Sequence, residues 1–260
     1  MHSAAAVAEV FALRAQGFGA RRIASRANLP VSTVRDWLAG RVPRHARVDP
    51  ISAQLRCDTC GHEAHRFAEL PSEYVYLLGV YLGDGCISEH ARQVFRLRLF
   101  LDLRYPEIVK ECEVALRLIM PRSKVNTTAR YGHYVRRTEP SHVEISAFSK
   151  SWPCLFPQHG PGRKHERSIE LLEWQWSLVR CHAGVLLRGL IHSDGCRFTN
   201  TGTNWTCPRY SFANRSDDIR RIFCETCDLL NLRYTFAPQT IYVSRKADVE
   251  ILDRFVGPKR

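Results

Sequence analysis

No stretch of the chain approaches the roughly twenty consecutive apolar residues that a membrane-spanning helix needs, so a helical anchor is excluded and no membrane partner is expected. The first 15 residues lack the order of an export signal and read as an Ala-rich helix with Glu9 inside it. A cytoplasmic, nucleoid-associated bacterial protein is expected. Lysine is scarce, 6 residues against 32 arginines. Bidentate phosphate and guanine contacts favour that skew, but a GC-rich genome produces it too, and the ratio decides little. Acids are also outnumbered, 26 to 38, which leaves a net charge of +12. Such a surplus favours a polyanionic partner, most commonly nucleic acid; the competing reading is a merely soluble basic protein. Cysteine, by contrast, is abundant. Ten cysteines without an export signal point to reduced thiols and a metal site rather than a disulfide framework. At 260 residues and 45% apolar, the chain can bury one large core or a medium and a small one.

The most informative feature is an internal repeat. Leu77-Leu78-Gly79-Val80-Tyr81-Leu82-Gly83-Asp84-Gly85-Cys86 recurs 110 positions later as Leu187-Arg188-Gly189-Leu190-Ile191-His192-Ser193-Asp194-Gly195-Cys196. Both copies read as an apolar helix that stops at Asp-Gly, and a repeat of this size signals two similar structural units. Gly79 and Gly83 are four apart, as are Gly189 and Ser193, so small residues share one helical face and two backbones can approach closely. Paired side by side, the helices bring Asp84 and Asp194 together at their ends. Gly85 and Gly195 are expected in the left-handed conformation that follows many helices. A carboxylate at a helix C-terminus opposes the macrodipole at a cost of a few tenths to about 1 kcal/mol. A divalent cation, Mg²⁺ or Mn²⁺, offsets that cost and binds through such a pair plus substrate phosphates. For one copy, a plain turn signal would explain Asp-Gly equally well; two copies in register favour the site.

Residues 1–42 read as three short helices with the spacing of a helix-turn-helix, whose last helix enters the major groove. Ile23, Ala24, Leu29, Val34, Trp37 and Leu38 form its expected core, and Ser32 or Thr33 is expected to cap a third helix over 34–39. Ser32, Thr33, Arg35 and Arg41 then face DNA. A three-helix cap that binds nothing is the bland alternative; eight arginines against three acids in residues 1–50 favour DNA. A Pro-, Arg- and His-rich connector over 43–70 carries Cys57-x2-Cys60-Gly61-His62-x2-His65. Cys57, Cys60, His62 and His65 have the shape of a zinc knuckle. Four ligands in nine residues is compressed, so either a ligand comes from elsewhere or these are two ordinary loop cysteines. Cys224-x2-Cys227 falls mid-helix, where the spacing indicates buried thiols.

Residues 71–260 hold the two copies, and each reads helix, two strands, helix, two strands, helix. The expected architecture is α+β: two αββαββα repeats in pseudo-twofold arrangement (71–156 and 177–260), joined by a basic linker over 157–176 and preceded by the all-α helix-turn-helix domain. In residues 94–99, Arg96 and Arg98 alternate with apolar residues and share a face. The same alternation groups Lys124, Asn126, Thr128 and Arg130, then Arg209 with Ser211, and Arg233 with Thr235. Joined, two such sheets present a long surface of the residue types that contact phosphates and base edges. A solvated sheet face also alternates, but its charges are usually mixed, and Glu144 is the main acid here.

With these motifs and this element order, residues 71–260 resemble a LAGLIDADG homing endonuclease of the single-chain, two-repeat type. Gly160-Pro161-Gly162-Arg163-Lys164-His165 resembles the linker ahead of the second motif, which adds Lys164 to the expected DNA contacts. The resemblance implies a DNA-binding saddle and metal-dependent cleavage of both strands of double-stranded DNA, with Asp84 and Asp194 as metal-binding acids. It also implies a basic residue after the fourth strand of each repeat that organises water; Lys150 and Lys246 are the nearest counterparts. The earlier acid of the family motif is replaced by Leu82 and His192. A free-standing monomer, an internal pseudo-dimer, is expected, with one structural Zn²⁺ as a further possibility at the knuckle. Two functions compete: a sequence-specific DNA endonuclease, and a non-cleaving transcriptional regulator of the same fold. The paired acids favour the first, and the N-terminal module the second.

Overall fold

The computed structural model describes residues 3–42, 57–62, 64–131, 139–257 and 259. Most of the expected connector, 43–56, lies outside them. The chain divides into two compact units between Cys57 and Asp58.

The first unit contains α1 (Ala4–Ala15), α2 (Ala20–Arg26) and α3 (Val31–Leu38). Val7, Val10, Ile23, Ala24, Val34 and Trp37 are its buried core, with Leu29 and Leu38 packed at the edge. The third helix starts earlier than the sequence suggested. Pro30 occupies the N-cap position, and its carbonyl accepts the first helical bond from Val34 N at 3.1 Å. Ser32 and Thr33 therefore lie inside the first turn and are not caps. Pro tolerates this because its fixed φ suits helix entry and its missing N–H has no intrahelical partner to lose.

The second unit holds both repeats. The first comprises α4 (Ser72–Asp84), β1 (Gly85–His90), β2 (Val94–Asp102), α5 (Pro106–Ile119), β3 (Val125–Arg130), β4 (His142–Ser149) and the short α6 (Trp152–Leu155). After α7 (Glu173–Cys181), the second runs α8 (Ala183–Asp194), β5 (Gly195–Gly202), β6 (Trp205–Ala213), α9 (Asp217–Leu229), β7 (Thr235–Ala237), β8 (Thr240–Val243) and α10 (Lys246–Asp253). The fold is α+β, with two four-stranded antiparallel sheets of equivalent order, β1-β2-β4-β3 and β5-β6-β8-β7. The stretch expected as linker carries α7 from Glu173 onward; Gln175 is fully buried there and donates to Tyr74 Oη at 2.8 Å, docking α7 on α4.

The two motif helices are the centre of the unit. Residues 74–82 of α4 are all buried, as are Leu186, Leu187 and Leu190 of α8. An apolar helix with no polar face belongs in an interior. Here each helix covers the other: a Cβ added to Gly79 would stand 2.7 Å from Leu186 O and from Leu190 N, and one added to Gly189 would stand 3.0 Å from Gly79 Cα. The backbones are in contact at the two glycines, which no other residue allows. Each sheet then packs one face on this pair. Leu97, Leu99, Leu101, Val143, Ile145 and Ala147 from the first sheet, and Tyr210, Phe212, Ile241 and Val243 from the second, enter the common core. Arg188 of α8 pairs with Glu111 of α5, Nη2 to Oε2 at 2.8 Å, and ties the repeats together at the side.

Candidate active site and nucleic-acid interface

The close approach of α4 and α8 gathers their last residues. Gly83 is held so near the other helix that a Cβ on it would come 2.8 Å from Asp194 Oδ2. Asp84 and Asp194 are both half-buried. Asp194 accepts from Asn214 Nδ2 at 2.6 Å. Burial first, and the Asp194 carboxylate second, push the Asp84 carboxyl up to about 7, against the pull of Lys259 and Lys164. Burial also raises Asp194, opposed by its Asn214 hydrogen bond and the same two lysines. The acids thus share one electrostatic site but open to different sides. Asp194 borders an open cavity of 430 Å³ together with Lys164, His165, Asn214 and Arg215. Asp84 borders one of 250 Å³ with Asp102, Arg104, His192 and Lys259.

The glycines after the acids are not left-handed. Gly85 has φ −101° and ψ 154°, Gly195 φ −103° and ψ 170°, and each is the first residue of a strand. Glycine is required by crowding instead: a Cβ would meet Tyr81 Cα at 2.7 Å or Ile191 Cα at 2.6 Å. The chain turns directly from helix to strand over the preceding turn, and this sharp reversal leaves the acid at the rim.

Two lysines complete the site. Lys164 Nζ donates to the carbonyls of Tyr81, Leu82 (3.0 Å) and Gly83 (3.3 Å), the last turn of α4. Lys259 Nζ donates to Ser193 O at 3.1 Å, the last turn of α8. Each motif helix therefore ends on an ammonium that satisfies orphan carbonyls and opposes the negative pole. Burial lowers the Lys164 ammonium to about 8 while Asp194 and Asp84 hold it up; burial lowers Lys259 as well. Lys164, expected to contact DNA from the linker, stands at the acids. Lys259 has no sequence signal beyond its charge. Lys150 follows β4 and Lys246 opens α10, and neither lines the two cavities. His192 turns inward, its Nδ1 2.9 Å from Tyr76 Oη, and burial pushes it down to about 3, so it is neutral.

The sheet faces opposite the core carry the alternating residues. In the first sheet, Arg98 pairs with Ser146, which pairs with Asn126; Arg96 pairs with Phe148. Lys124 lies exposed just before β3. Glu144 is buried on this face and holds Arg96 at 2.5 Å and Arg130 at 2.9 Å. In the second sheet, Arg209 and Ser211 of β6 share the face with Cys196 and Phe198 of β5. Arg209 lies over the Tyr242 ring at 5.4 Å. Among the described residues, Nε of Arg96, Arg98 and Arg209 has no hydrogen-bond partner. Arg233 is exposed but precedes β7, which begins at Thr235; its backbone N–H is taken by Asp248 Oδ2 at 3.1 Å, so it is not a sheet residue. In the first unit Ser32, Arg35 and Arg41 are exposed and Thr33 is half-buried; Arg41 is paired with Asp36 at 2.9 Å.

Of the four knuckle residues, Cys57, Cys60 and His65 come together, and the fourth member of their cluster is Cys154 of α6. His62 departs from the expected set: its Nδ1 lies 3.0 Å from Ser151 Oγ. Cys224 and Cys227 are buried in α9, as their spacing indicated.

Among solved structures, the chain is similar to the LAGLIDADG meganuclease I-AabMI bound to uncleaved DNA, at 12% identity over 70% of this chain and 82% of that one, with a TM-score of 0.42. It is also similar to the N-terminal LAGLIDADG domain of DUF199/WhiA, at 13% identity over 75% and 87%, TM-score 0.43. A third is the homing endonuclease I-WcaI bound to its DNA recognition sequence, at 15% identity over 72% and 81%, TM-score 0.45. No protein-family model matches the sequence, and no curated protein does either. Among the described residues, no helix is long and apolar enough to cross a membrane.

Proposed function

We propose that this chain binds double-stranded DNA along the open faces of its two sheets and cuts it as a metal-dependent endonuclease. The observation that carries the reading is the convergence of Asp84 and Asp194 at the ends of two helices in backbone contact, each opening to its own cavity beside a lysine. Two carboxylates raised by burial, one of them also by the charge of the other, are a poor structural solution unless a cation or a reaction uses them. The donor set is all oxygen, which suits Mg²⁺ or Mn²⁺. When bound, such a metal lowers the pKa of a water and neutralises charge building on the phosphate.

The protein's own groups do the rest. Asp84 and Asp194 hold the two sides of the site at a separation fixed by the glycine contact. Lys164 and Lys259 put positive charge at the helix ends, where a scissile phosphate gains electrostatic support. Arg96, Arg98, Lys124, Asn126, Arg130 and Arg209 supply the phosphate and base contacts, and their fixed sheet positions set the register. The three-helix unit, through Ser32, Thr33, Arg35 and Arg41, adds a second DNA contact. A monomer suffices, since one chain carries both acids.

One observation favours the non-cleaving regulator. The two ammonium groups already oppose the charge of the two carboxylates, which supports acids that persist in the fold without a metal. The deciding experiment incubates the protein with Mg²⁺ and a randomised duplex library and sequences any new ends. Cleavage that Asp84→Asn or Asp194→Asn abolishes, with DNA affinity kept, supports the endonuclease. Binding without new ends, in Mn²⁺ as well as Mg²⁺, supports the regulator.

A further inference from the structure

We propose that Cys57, Cys60, His65 and Cys154 form a structural zinc site that fastens residues 57–65 to the end of the first repeat. One potential ligand atom from each residue lies within 4.8 Å of all the others. A tetrahedral ion with Zn–S near 2.3 Å and Zn–N near 2.0 Å separates its donors by about 3.5–3.8 Å, so the cluster is within a small side-chain adjustment of that geometry. Cys60 Sγ and His65 Nε2 are already 3.2 Å apart. Cys60 is buried and the other three are half-buried.

The surroundings fit a metal better than either alternative. A disulfide would consume two sulfurs and leave an imidazole and a third sulfur crowded against it, whereas one ion engages all four. Three sulfurs and a nitrogen with no carboxylate reject Mg²⁺ and Ca²⁺ and select zinc. Four protein ligands leave no open position, which is the form of a structural site. Support from outside the ligand shell is present too. Ser151 Oγ donates to Cys60 Sγ at 3.8 Å and accepts from His62 Nδ1 at 3.0 Å. His62 thus orients the serine that steadies a thiolate, and is no ligand itself. Cys154 is rigidly placed, since Trp152 two residues earlier is wholly buried and donates from Nε1 to Ala147 O at 2.9 Å. On the other side, His65 packs on Phe67 at 5.3 Å, and Phe67 stacks on Trp174 at 4.1 Å. Zinc would therefore join two surfaces already seated on the body of the second unit. On binding, the three thiols release their protons to solvent and bind as thiolates.

The test uses the full chain. Purified protein is assayed for metal content, stripped under denaturing, reducing conditions, and refolded with Zn²⁺ or Co²⁺ alone. One zinc per chain is expected, and the cobalt form should show a tetrahedral d–d envelope with thiolate-to-cobalt charge transfer. Cys154→His should keep one metal and lose roughly a third of the charge-transfer intensity, one thiolate of three. Cys154→Ser should lose metal, while His62→Gln and Cys181→Ser should keep full stoichiometry. The assignment is overturned if the wild-type chain binds neither ion, if it purifies with iron instead, if the cobalt spectrum of Cys154→His is unchanged, or if His62→Gln loses metal as Cys154→Ser does. Because occupancy and spectra are read, not cleavage, the outcome is independent of the endonuclease reading.

Discussion

Replacing Asp84 by Asn should stabilise the protein at neutral and alkaline pH and leave it unchanged in acid. Asp84 titrates near 3.8 when unfolded and is pushed up to about 7 in the fold, by burial first and by Asp194 second. Between those values the folded state binds the proton more tightly than the unfolded one. Stability therefore falls as pH rises through that window, and the full penalty is present above about 7. A difference of about three pKa units corresponds to a ceiling of about 4 kcal/mol. The carboxylate is half-buried, and screening by water at the rim reduces this to about 1–2 kcal/mol. The amide of Asn keeps the shape, removes the repulsion, and also ends the clash with the helix dipole.

The assay is urea unfolding of wild type and Asp84→Asn at pH 3.5, 5.5 and 8 without added divalent cation. The curves should coincide at the lowest pH and separate progressively, with the variant more stable by about 1–2 kcal/mol at pH 8, or roughly 3–6 °C in a thermal melt of a unit this size. Adding Mg²⁺ should narrow the gap, because the ion stabilises only the wild-type site. Equal stability at pH 8, or a gap already complete at pH 3.5, would refute the claim that the two carboxylates are forced together.

Gly189→Ala should destabilise by about 1–3 kcal/mol in a denaturant melt, because its Cβ drives α8 off the α4 backbone, and this outweighs the propensity gain of about 1 kcal/mol; an unchanged midpoint would mean the backbones do not touch. Glu144→Gln should release Arg96 and Arg130, strengthening DNA binding at low salt and steepening its logarithmic salt slope by about 1–2 in a fluorescence titration; an unchanged slope would remove those arginines from the interface. Deleting residues 1–42 should weaken binding and flatten the same slope, and an unaltered slope would demote the three-helix unit to a structural cap.

The architecture was legible because it is written twice. Gly79, Gly83, Gly189 and Ser193 announce the helix contact by their spacing, and the alternation of Arg96 with Arg98 announces the open sheet face. Local chemistry was less legible wherever a distant residue decides it. Gly85 and Gly195 carry the signature of a helix-ending left-handed residue, yet what demands glycine is the side of the preceding turn, Tyr81 or Ile191, against which the strand departs. Nothing near Pro30 announces that its carbonyl, not a serine hydroxyl, opens α3. Cys154 lies 94 positions from Cys60 and joins it only because α6 folds back after β4. Helix α7 did leave a trace, since Leu171, Gln175 and Leu178 follow the i, i+4, i+7 spacing of one helical face, but the basic residues before it read as linker.

The lysines show why the site could be located and yet not completed from the motifs. Bringing two helix C-termini together concentrates two negative poles and two carboxylates in one place, and the motifs' own basic residues do not relieve it, since Arg188 is turned to Glu111 and His192 is buried and neutral. Relief has to arrive from outside the helices. In each repeat it comes from a segment following the last helix: Lys164 after α6 reaches the carbonyls of α4, and Lys259 after α10 reaches Ser193 of α8. Each lysine thus crowns the motif helix of its own repeat, while both feel both acids. Lys164→Met separates the two duties this position combines. If the ammonium serves chiefly as a helix cap, the variant should lose about 1–2 kcal/mol of stability while Asp84 keeps its titration. If it also supports the acid pair, the midpoint for Asp84 should move further up, so that the pH-dependent loss of stability in Mg²⁺-free buffer still starts near 3.8 but ends at higher pH and is larger in total. An Asp84 midpoint that stays put in Lys164→Met would confine Lys164 to capping and leave the acids to be balanced by Lys259 alone.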